Sequence, residues 1–318
     1  MTSLPADSSI AAEPGLRPAR RRRLTWSSVG HGSVPYLLIL PVVGAVGAVL
    51  GYPLYYLGKL SVEKYGLEEL IRHSGEWIGL HNYSAVLHDS VFWDTLRRTV
   101  VFTAVNVGLT IGLGTLIALL LVRVSAFVRI PLTAGLVLVW STPAVVAVQV
   151  FYWMTNFENG VFNSIFQLGQ HDWYATTFSQ LGMVTMLIVW GALPFVVITL
   201  YAGLAQVPHE LVEAAEIDGA RPWRVFRDVT FPILKPIFLI LTSLSIIWDF
   251  GVFTQPYLLI GREHQYASNY LMGVYVYIKA YSGNDYGQGA AISVLMLLIV
   301  AILSIFYVRK MVRIGDVQ

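Results

Sequence analysis

"VPHELVEAAEIDGARPWRVFRDVTFPILKP", residues 207–236, is a charged, glycine-punctuated interruption between two long apolar runs. Pro208 stands where a first helical turn tolerates a missing N–H, and Glu210 and Glu213 favour the positive end of a helix dipole. Leu211, Ala214, Ala215 and Ile217 give this helix a small, mostly apolar face, and at about 1.5 Å per residue it spans only ~16 Å. Gly219 is placed to end it in a left-handed conformation that is costly for other residues. A second short segment, Trp223 to Val229, carries Arg224 and Arg227, and Pro232 marks the start of the next apolar run. The stretch therefore reads as two short helices hinged at a glycine. A helix lying on a membrane carries bulky apolar residues opposite a face of Lys and Arg. This one is acidic and small, which fits a protein groove better.

Composition says what surrounds the elbow. The chain has 318 residues, 56% of them hydrophobic and 13% charged, with a mean hydropathy of +0.63. Soluble domains carry about 25% charged residues, so the deficit points to a bilayer. Six apolar runs are long enough to cross one: residues 34–57, 99–122, 130–153, 181–205, 233–254 and 290–308. Pro41, Pro53, Pro143 and Pro194 lie within or beside these runs, as membrane helices tolerate when neighbours re-satisfy the freed backbone groups. The expected fold class is an all-α polytopic membrane protein. Its transmembrane domain covers residues 34–311, and the elbow occupies the loop 206–232 between the fourth and fifth spans. A tail at 1–33, ending in the basic run Arg17 to Arg23, buries too little apolar surface to order itself, and residues 312–318 form a second tail. The first apolar run is too long for a signal peptide.

Charge then orients the chain. With the N-terminus inside, Arg17, Arg20 to Arg23, Arg123, Arg129, Arg221, Arg224, Arg227, Lys235, Arg309, Lys310 and Arg313 face the cytosol. Lys59, Lys64, Arg72, Arg97, Arg98, Arg262 and Lys279 face outward, and residues 154–180 hold no Lys or Arg. The positive-inside rule favours this N-in, C-in arrangement, with the elbow cytosolic.

The chemistry the chain lacks is equally informative. A formal charge of +2 gives no general attraction to nucleic acid, and the absence of cysteine removes disulfides, iron–sulfur clusters and thiol catalysis. A phosphate-cradling loop needs G-x-x-x-x-G-K-[ST]. "GYPLYYLGKL", from Gly51, has six residues between its glycines and Leu60 after Lys59, so it is not one. His31, His73, His81, His88, His171, His209 and His264 are scattered without metal-ligand spacing. Ser141 and Ser243 have no His or Asp companions that would make an intramembrane hydrolase.

An acid within a span costs about 2.5–3.5 kcal/mol at the helix centre and is by default a functional candidate. Asp249, in "SIIWDFGVFTQPY", is the one acid well inside a predicted span. Trp248 beside it, and Trp190 with Phe195 around Pro194, offer aromatic planes. Trp140, Gln149 and Trp153 in the third span add the same combination of apolar faces and polar groups, which suits a carbohydrate path. Pairing across a helix interface is the structural alternative for Asp249.

Glu213-Ala214-Ala215 followed by Gly219 and Pro232 resembles the "EAA…G…P" loop of the membrane subunits of binding-protein-dependent ATP-binding-cassette importers. The longer pattern, with "DGA" at 218–220, Trp223 and Phe226, is similar to that family's carbohydrate branch. "GLHNYSAVL", "FWDTLRRTVVFT", "WSTPAVVAVQVFYWM" and "DYGQGAAISVLMLLIVAILSIFYVR" extend the resemblance from about Tyr36 to Met311. The chain departs at Val229 and Phe231, mild apolar swaps, and at "LLIGREHQYASNYL", which replaces a Gly-Gly-Pro turn. The resemblance implies a type I importer permease in a bacterial or archaeal cytoplasmic membrane. It implies that Glu213, Ala214, Ala215, Asp218 and Gly219 couple to a separate ATPase dimer, which holds the ATP and Mg; no cofactor belongs to this chain. The implied partners are a second homologous permease, an extracytoplasmic sugar-binding protein and a carbohydrate substrate, with no nucleic acid. Trp190, Phe195, Trp248 and Asp249 are the implied substrate path, near the membrane midplane, and Gln149 joins them from the reading of the third span. A permease for a peptide or phosphate remains the near alternative, and a membrane receptor or enzyme with a docking helix the distant one.

Overall fold

The computed structural model describes residues 34–261 and 265–315, without the side chains of 34, 35, 37 and 311–315. The expected basic tail, residues 262–264 and the final three residues lie outside them. Two compact units divide after Pro53. Of the first, the described part is the start of helix α1 (Val34–Ser61), which contains Pro41 and Pro53.

The second unit holds a two-residue hairpin, β1 (Glu63–Lys64) with β2 (Glu76–Trp77), around the short helix α2 (Leu67–Arg72). Helix α3 (His81–His88) leads to α4 (Ser90–Arg123), which begins nine residues before its apolar run. Asp89 caps it by accepting from the Val91 N–H at 2.9 Å. The expected third span is instead two helices, α5 (Ala126–Trp140) and α6 (Ala144–Met154), bent by 102°. Pro143 has no N–H and disfavours helix at Thr142. The Ser141 and Thr142 hydroxyls both donate to the Leu138 carbonyl, at 2.9 and 3.0 Å, satisfying the interrupted turn.

After the single turn α7 (Val161–Ile165) comes α8 (Thr177–Leu204), capped by Thr176 and Ser179 through reciprocal side-chain bonds. The elbow contains α9 (His209–Ile217) and α10 (Pro222–Val225). A π turn, Phe226–Thr230, then joins α10 to α11 (Phe231–Phe250) without a break. Helices α12 (Thr254–Ile260) and α13 (Met272–Tyr277) and a second π turn at Ile278–Ser282 precede α14 (Tyr286–Gly315). The last helix thus runs through most of the expected C-terminal tail. Five helices among the described residues are long and apolar enough to cross a membrane, and the bent pair makes six.

The bundle is built on α4 against α8. Ala118 packs with Val196, Leu200 and Leu241, while Phe102 joins Met183, Val184 and Leu187. Gly114 lets the two backbones approach, since a Cβ there would stand 2.6 Å from Val196 Cγ1. Small residues at such contacts take the place of a hydrophobic driving force that lipid does not supply. The α4 seam is also polar: Thr95, Thr99, Thr103, Asn106 and Thr110 are buried. Asn106 Nδ2 donates to the Phe102 carbonyl at 2.8 Å, and Thr99 Oγ1 accepts from the Met272 N–H at 3.0 Å.

The end of the bundle away from the elbow is laced by hydrogen bonds. Asn82 Nδ2 donates to the carbonyls of Ser61 and Glu63 at 3.0 and 2.9 Å. Asn269 Nδ2 donates to Gln180 Oε1 at 2.9 Å, and Arg98 Nη1 to the carbonyls of Ala267 and Tyr270. Nearby, Tyr174 shares a 2.7 Å hydrogen bond with Thr155, and burial pushes its phenol up to about 12. This lacing holds the loops at that end while the other end carries the projecting elbow.

Candidate functional site

Two features stand out, one at each level of the bundle. The first is the elbow. Helix α9 starts at His209, with Pro208 one residue earlier as its cap rather than inside its first turn. It ends as Gly219 requires. The Ala220 N–H reaches the Ala215 carbonyl at 2.9 Å and the Gly219 N–H the Glu216 carbonyl at 3.0 Å. Gly219 itself has φ +78°, with nothing within 4 Å of where a Cβ would be. This double bond pattern around a left-handed residue is the Schellman termination. The glycine is needed for its backbone, since the space beside it is open.

The expected second short helix does not stand alone. The Phe231 N–H reaches back five residues to the Phe226 carbonyl, making the π turn, and the chain continues into α11. The extra residue falls just before Pro232, whose ring would clash with the carbonyl four residues earlier in a regular helix. Gly219 thus lies between α9 and a helix continuous from Pro222 to Phe250. Glu213, Ala214, Asp218 and Gly219 are exposed and Ala215 is half-buried. Ile217 is 86% and Leu211 49% exposed, so the outer face of α9 presents apolar side chains beside its acids.

The second feature is a cavity of about 290 Å³ below the bend between α5 and α6. Its walls include Trp140 and Thr142 from the bend, Trp190 and Phe195 from α8, Trp248 and Asp249 from α11, and Gln255 from α12. Phe195 is central: Trp140 stacks on it at 6.2 Å and Trp248 meets it edge-on at 5.5 Å. Pro194 removes the helical donor to the Trp190 carbonyl, leaving that oxygen for other partners. Asp249 is 7% exposed. Among the described residues its carboxyl has no hydrogen-bond or ion-pair partner, and the cavity lining contains no Lys, Arg or His.

Four of the five predicted path residues, Trp190, Phe195, Trp248 and Asp249, are thus brought together. Gln149 is not: it is exposed on α6 and absent from the cavity lining. Asp249 also lies elsewhere than expected, in the last turn of α11, because the helix stops at Phe250 rather than running to 254. The backbone of Gly273 at the start of α13 packs there, with a would-be Cβ 2.6 Å from the Val252 carbonyl. Thr142 and Gln255 were missed. The proline break at 143 was the available signal for Thr142, and a helix end at Gly251 would have turned attention to Gln255.

A helical membrane bundle with a projecting elbow and an aromatic, polar-tipped cavity fits the framework of a transport permease subunit. The chain belongs to the family described as "Binding-protein-dependent transport system inner membrane component", which residues 110–313 match. It is 42% identical to the diacetylchitobiose uptake system permease protein DasB of Streptomyces coelicolor, over 88% of this chain and 87% of that protein. It is 31% identical to the trehalose/maltose transport system permease protein MalF of Thermococcus litoralis, over 86% of this chain and 92% of that one. In fold it is similar to a chain of a bacterial ABC transporter that imports the acidic polysaccharide alginate. That match has a TM-score of 0.76 at 16% identity and covers 91% of this chain and 98% of the other. The chain is a permease subunit of an importer and not an enzyme.

Proposed function

We propose that the chain carries a neutral sugar or oligosaccharide, handed over by an extracytoplasmic binding protein, through a path that includes the Trp190–Phe195–Trp248–Asp249 cavity. The observation that carries this reading is the cavity lining: aromatic planes for the C–H faces of a sugar, and Asp249, Thr142 and Gln255 for its hydroxyls. The lining holds no Lys, Arg or His, which speaks against phosphate, commonly bound by Arg or Lys. Sugar permeases among the relatives point the same way.

In this reading a second permease of the same fold faces the cavity, and a separate ATPase dimer, holding ATP and Mg, grips α9. Glu213, Ala214, Ala215 and Asp218 form the contact and Gly219 the hinge. Both termini are cytosolic, as the distribution of Lys and Arg favours. ATP-driven closure draws on α9, and the continuous helix from Pro222 carries the displacement to Trp248 and Asp249.

The test is uptake by the full complex in proteoliposomes, with its ATPase and binding protein, over a panel of neutral oligosaccharides, peptides and phosphate. Uptake of a saccharide that drops about tenfold in Trp190→Ala and Trp248→Ala supports the reading. Saccharide uptake untouched by both substitutions places the path elsewhere, and uptake of peptide or phosphate alone rejects the substrate class.

A further inference from the structure

A crevice of about 400 Å³ separates α4 from the start of α8, and nothing in the transport mechanism uses it. Below the charged residues its lining is mostly apolar: Val101, Phe102 and Val105 from α4, Leu181 and Gly182 from α8, with Phe178 at the rim and Thr185 the one uncharged polar side chain. Phe178 is 89% exposed. A Cβ built on Gly182 meets nothing within 4 Å, so the space above the floor is open.

The mouth is charged. Arg97, Arg98 and Asp94 line it, two guanidiniums against one carboxylate. Arg97 stands 4.0 Å from Asp94, too far for a hydrogen bond, and its side chain is 83% exposed. Arg98 is held in place by its bonds to the Ala267 and Tyr270 carbonyls, at 3.2 and 2.8 Å from a single nitrogen, Nη1. Among the described residues its remaining N–H groups have no partner and face the mouth.

Depth identifies the occupant. Helix α4 has 34 residues, about 51 Å at 1.5 Å per residue, against a hydrocarbon core of about 30 Å. The uncharged stretch from Thr99 to Val122 fills that core, so Arg97 and Arg98 stand at its boundary, where lipid phosphates lie. They do so at the end of the bundle where the positive-inside rule expects few basic residues. A guanidinium fork matches a phosphate geometrically, and the apolar crevice directly beneath matches an acyl chain. We propose that the crevice binds a phospholipid, its phosphodiester on Arg97 and Arg98 and one acyl chain along Val101, Val105, Leu181 and Gly182.

The test uses the assembled complex in phosphate-free vesicles of digalactosyldiacylglycerol, doped with a phosphatidylglycerol bearing a photoreactive acyl chain. A diacylglycerol with the same chain is the control probe. Labelling of peptides spanning 99–105 and 178–185 is read relative to the exposed Ile302–Phe306 face of α14. The phospholipid should label the crevice about tenfold more than the diacylglycerol, a margin of roughly 1.4 kcal/mol. Arg97→Ala, which leaves the Arg98 bonds intact, and Gly182→Leu, which fills the open floor, should each bring it down to the control level. Equal labelling by both probes overturns the proposal. So does a crevice unlabelled in the assembled complex, which means that a partner chain covers it. Suppression by added inorganic phosphate overturns it too, in favour of a free-anion site.

Discussion

Asp89 accepts a 2.8 Å hydrogen bond from the hydroxyl of Tyr275, a residue 186 positions further along the chain. The same oxygen takes Lys279 Nζ at 3.2 Å, while the other carboxylate oxygen caps α4. One side chain therefore starts the longest helix and ties it to α13 and the π turn after it. Burial would raise the Asp89 carboxyl, but the Val91 N–H, the Tyr275 hydroxyl and Lys279 together hold it below the usual carboxylate range. Burial and the same carboxylate push the Tyr275 phenol up, so it remains a donor.

A depressed native value means stability that is complete above the unfolded carboxylate range and lost as pH falls through the folded value. Asp89→Asn should flatten the acid limb of a plot of melting temperature against pH for the solubilised complex. Tyr275→Phe should lower the melting point at neutral pH, at a cost of about 1.5–3 kcal/mol for the lost hydrogen bond to a charged, half-buried acceptor. An acid limb unchanged in Asp89→Asn would assign the pH dependence to other groups.

Gly219 supplies a graded test of the hinge. Its φ of +78° excludes proline, which holds φ near −65° and also deletes the N–H that bonds Glu216. Asparagine tolerates the left-handed region, whereas a β-branched residue pays about 1–2 kcal/mol or more there. Saccharide-stimulated ATP hydrolysis in proteoliposomes should rank glycine, then Asn, then Val, then Pro. Full stimulation in Gly219→Pro, with the complex assembled, would remove the elbow from the transmission path.

The close contact at Gly114 predicts a reciprocal rescue. Gly114→Ala drives a methyl into Val196, which stands 2.6 Å from the position it would take. Overpacking of this kind costs about 1–3 kcal/mol. Val196→Ala in the same chain should recover most of the lost melting temperature, although alone it lowers it. Two single effects that simply add would show that the helices separate freely instead of pressing on this contact.

Where local chemistry dictates the backbone, the sequence was readable. Gly219 could be assigned a left-handed residue because few other side chains tolerate one, and the apolar runs are long enough to state their own length. Chain direction after a proline is harder. Pro143 signals a weakness, but whether α5 and α6 bend or continue depends on whether Ser141 and Thr142 can satisfy Leu138, a tertiary choice among permitted local ones. The same limit explains Gln149. Grouping it with Trp140 treated the third span as one unbroken element, whereas the chain bends by 102° between α5 and α6 and leaves Gln149 exposed on α6. Asp249 was legible as an anomaly but not as a helix-terminal residue, because Gly251 ends α11 in concert with packing from Gly273, 22 residues later in the chain.

That position makes Asp249 the sharpest test of what the cavity is for. A carboxyl in the last helical turn faces the negative end of the helix dipole, and this one is buried with no partner among the described residues. Both conditions are unfavourable, so the residue weakens the fold of this chain. Asp249→Asn keeps the size and one acceptor oxygen but exchanges the other for an NH2 donor and cannot ionise. If the carboxyl serves transport, the variant should melt at the same temperature or higher while saccharide uptake falls about tenfold, the usual trade between stability and a functional site. If instead the residue anchors a contact within the bundle or with the second permease, the complex should melt earlier or fail to assemble. A lower melting temperature with uptake retained per assembled complex would take Asp249 out of the path and leave the aromatic residues to carry it.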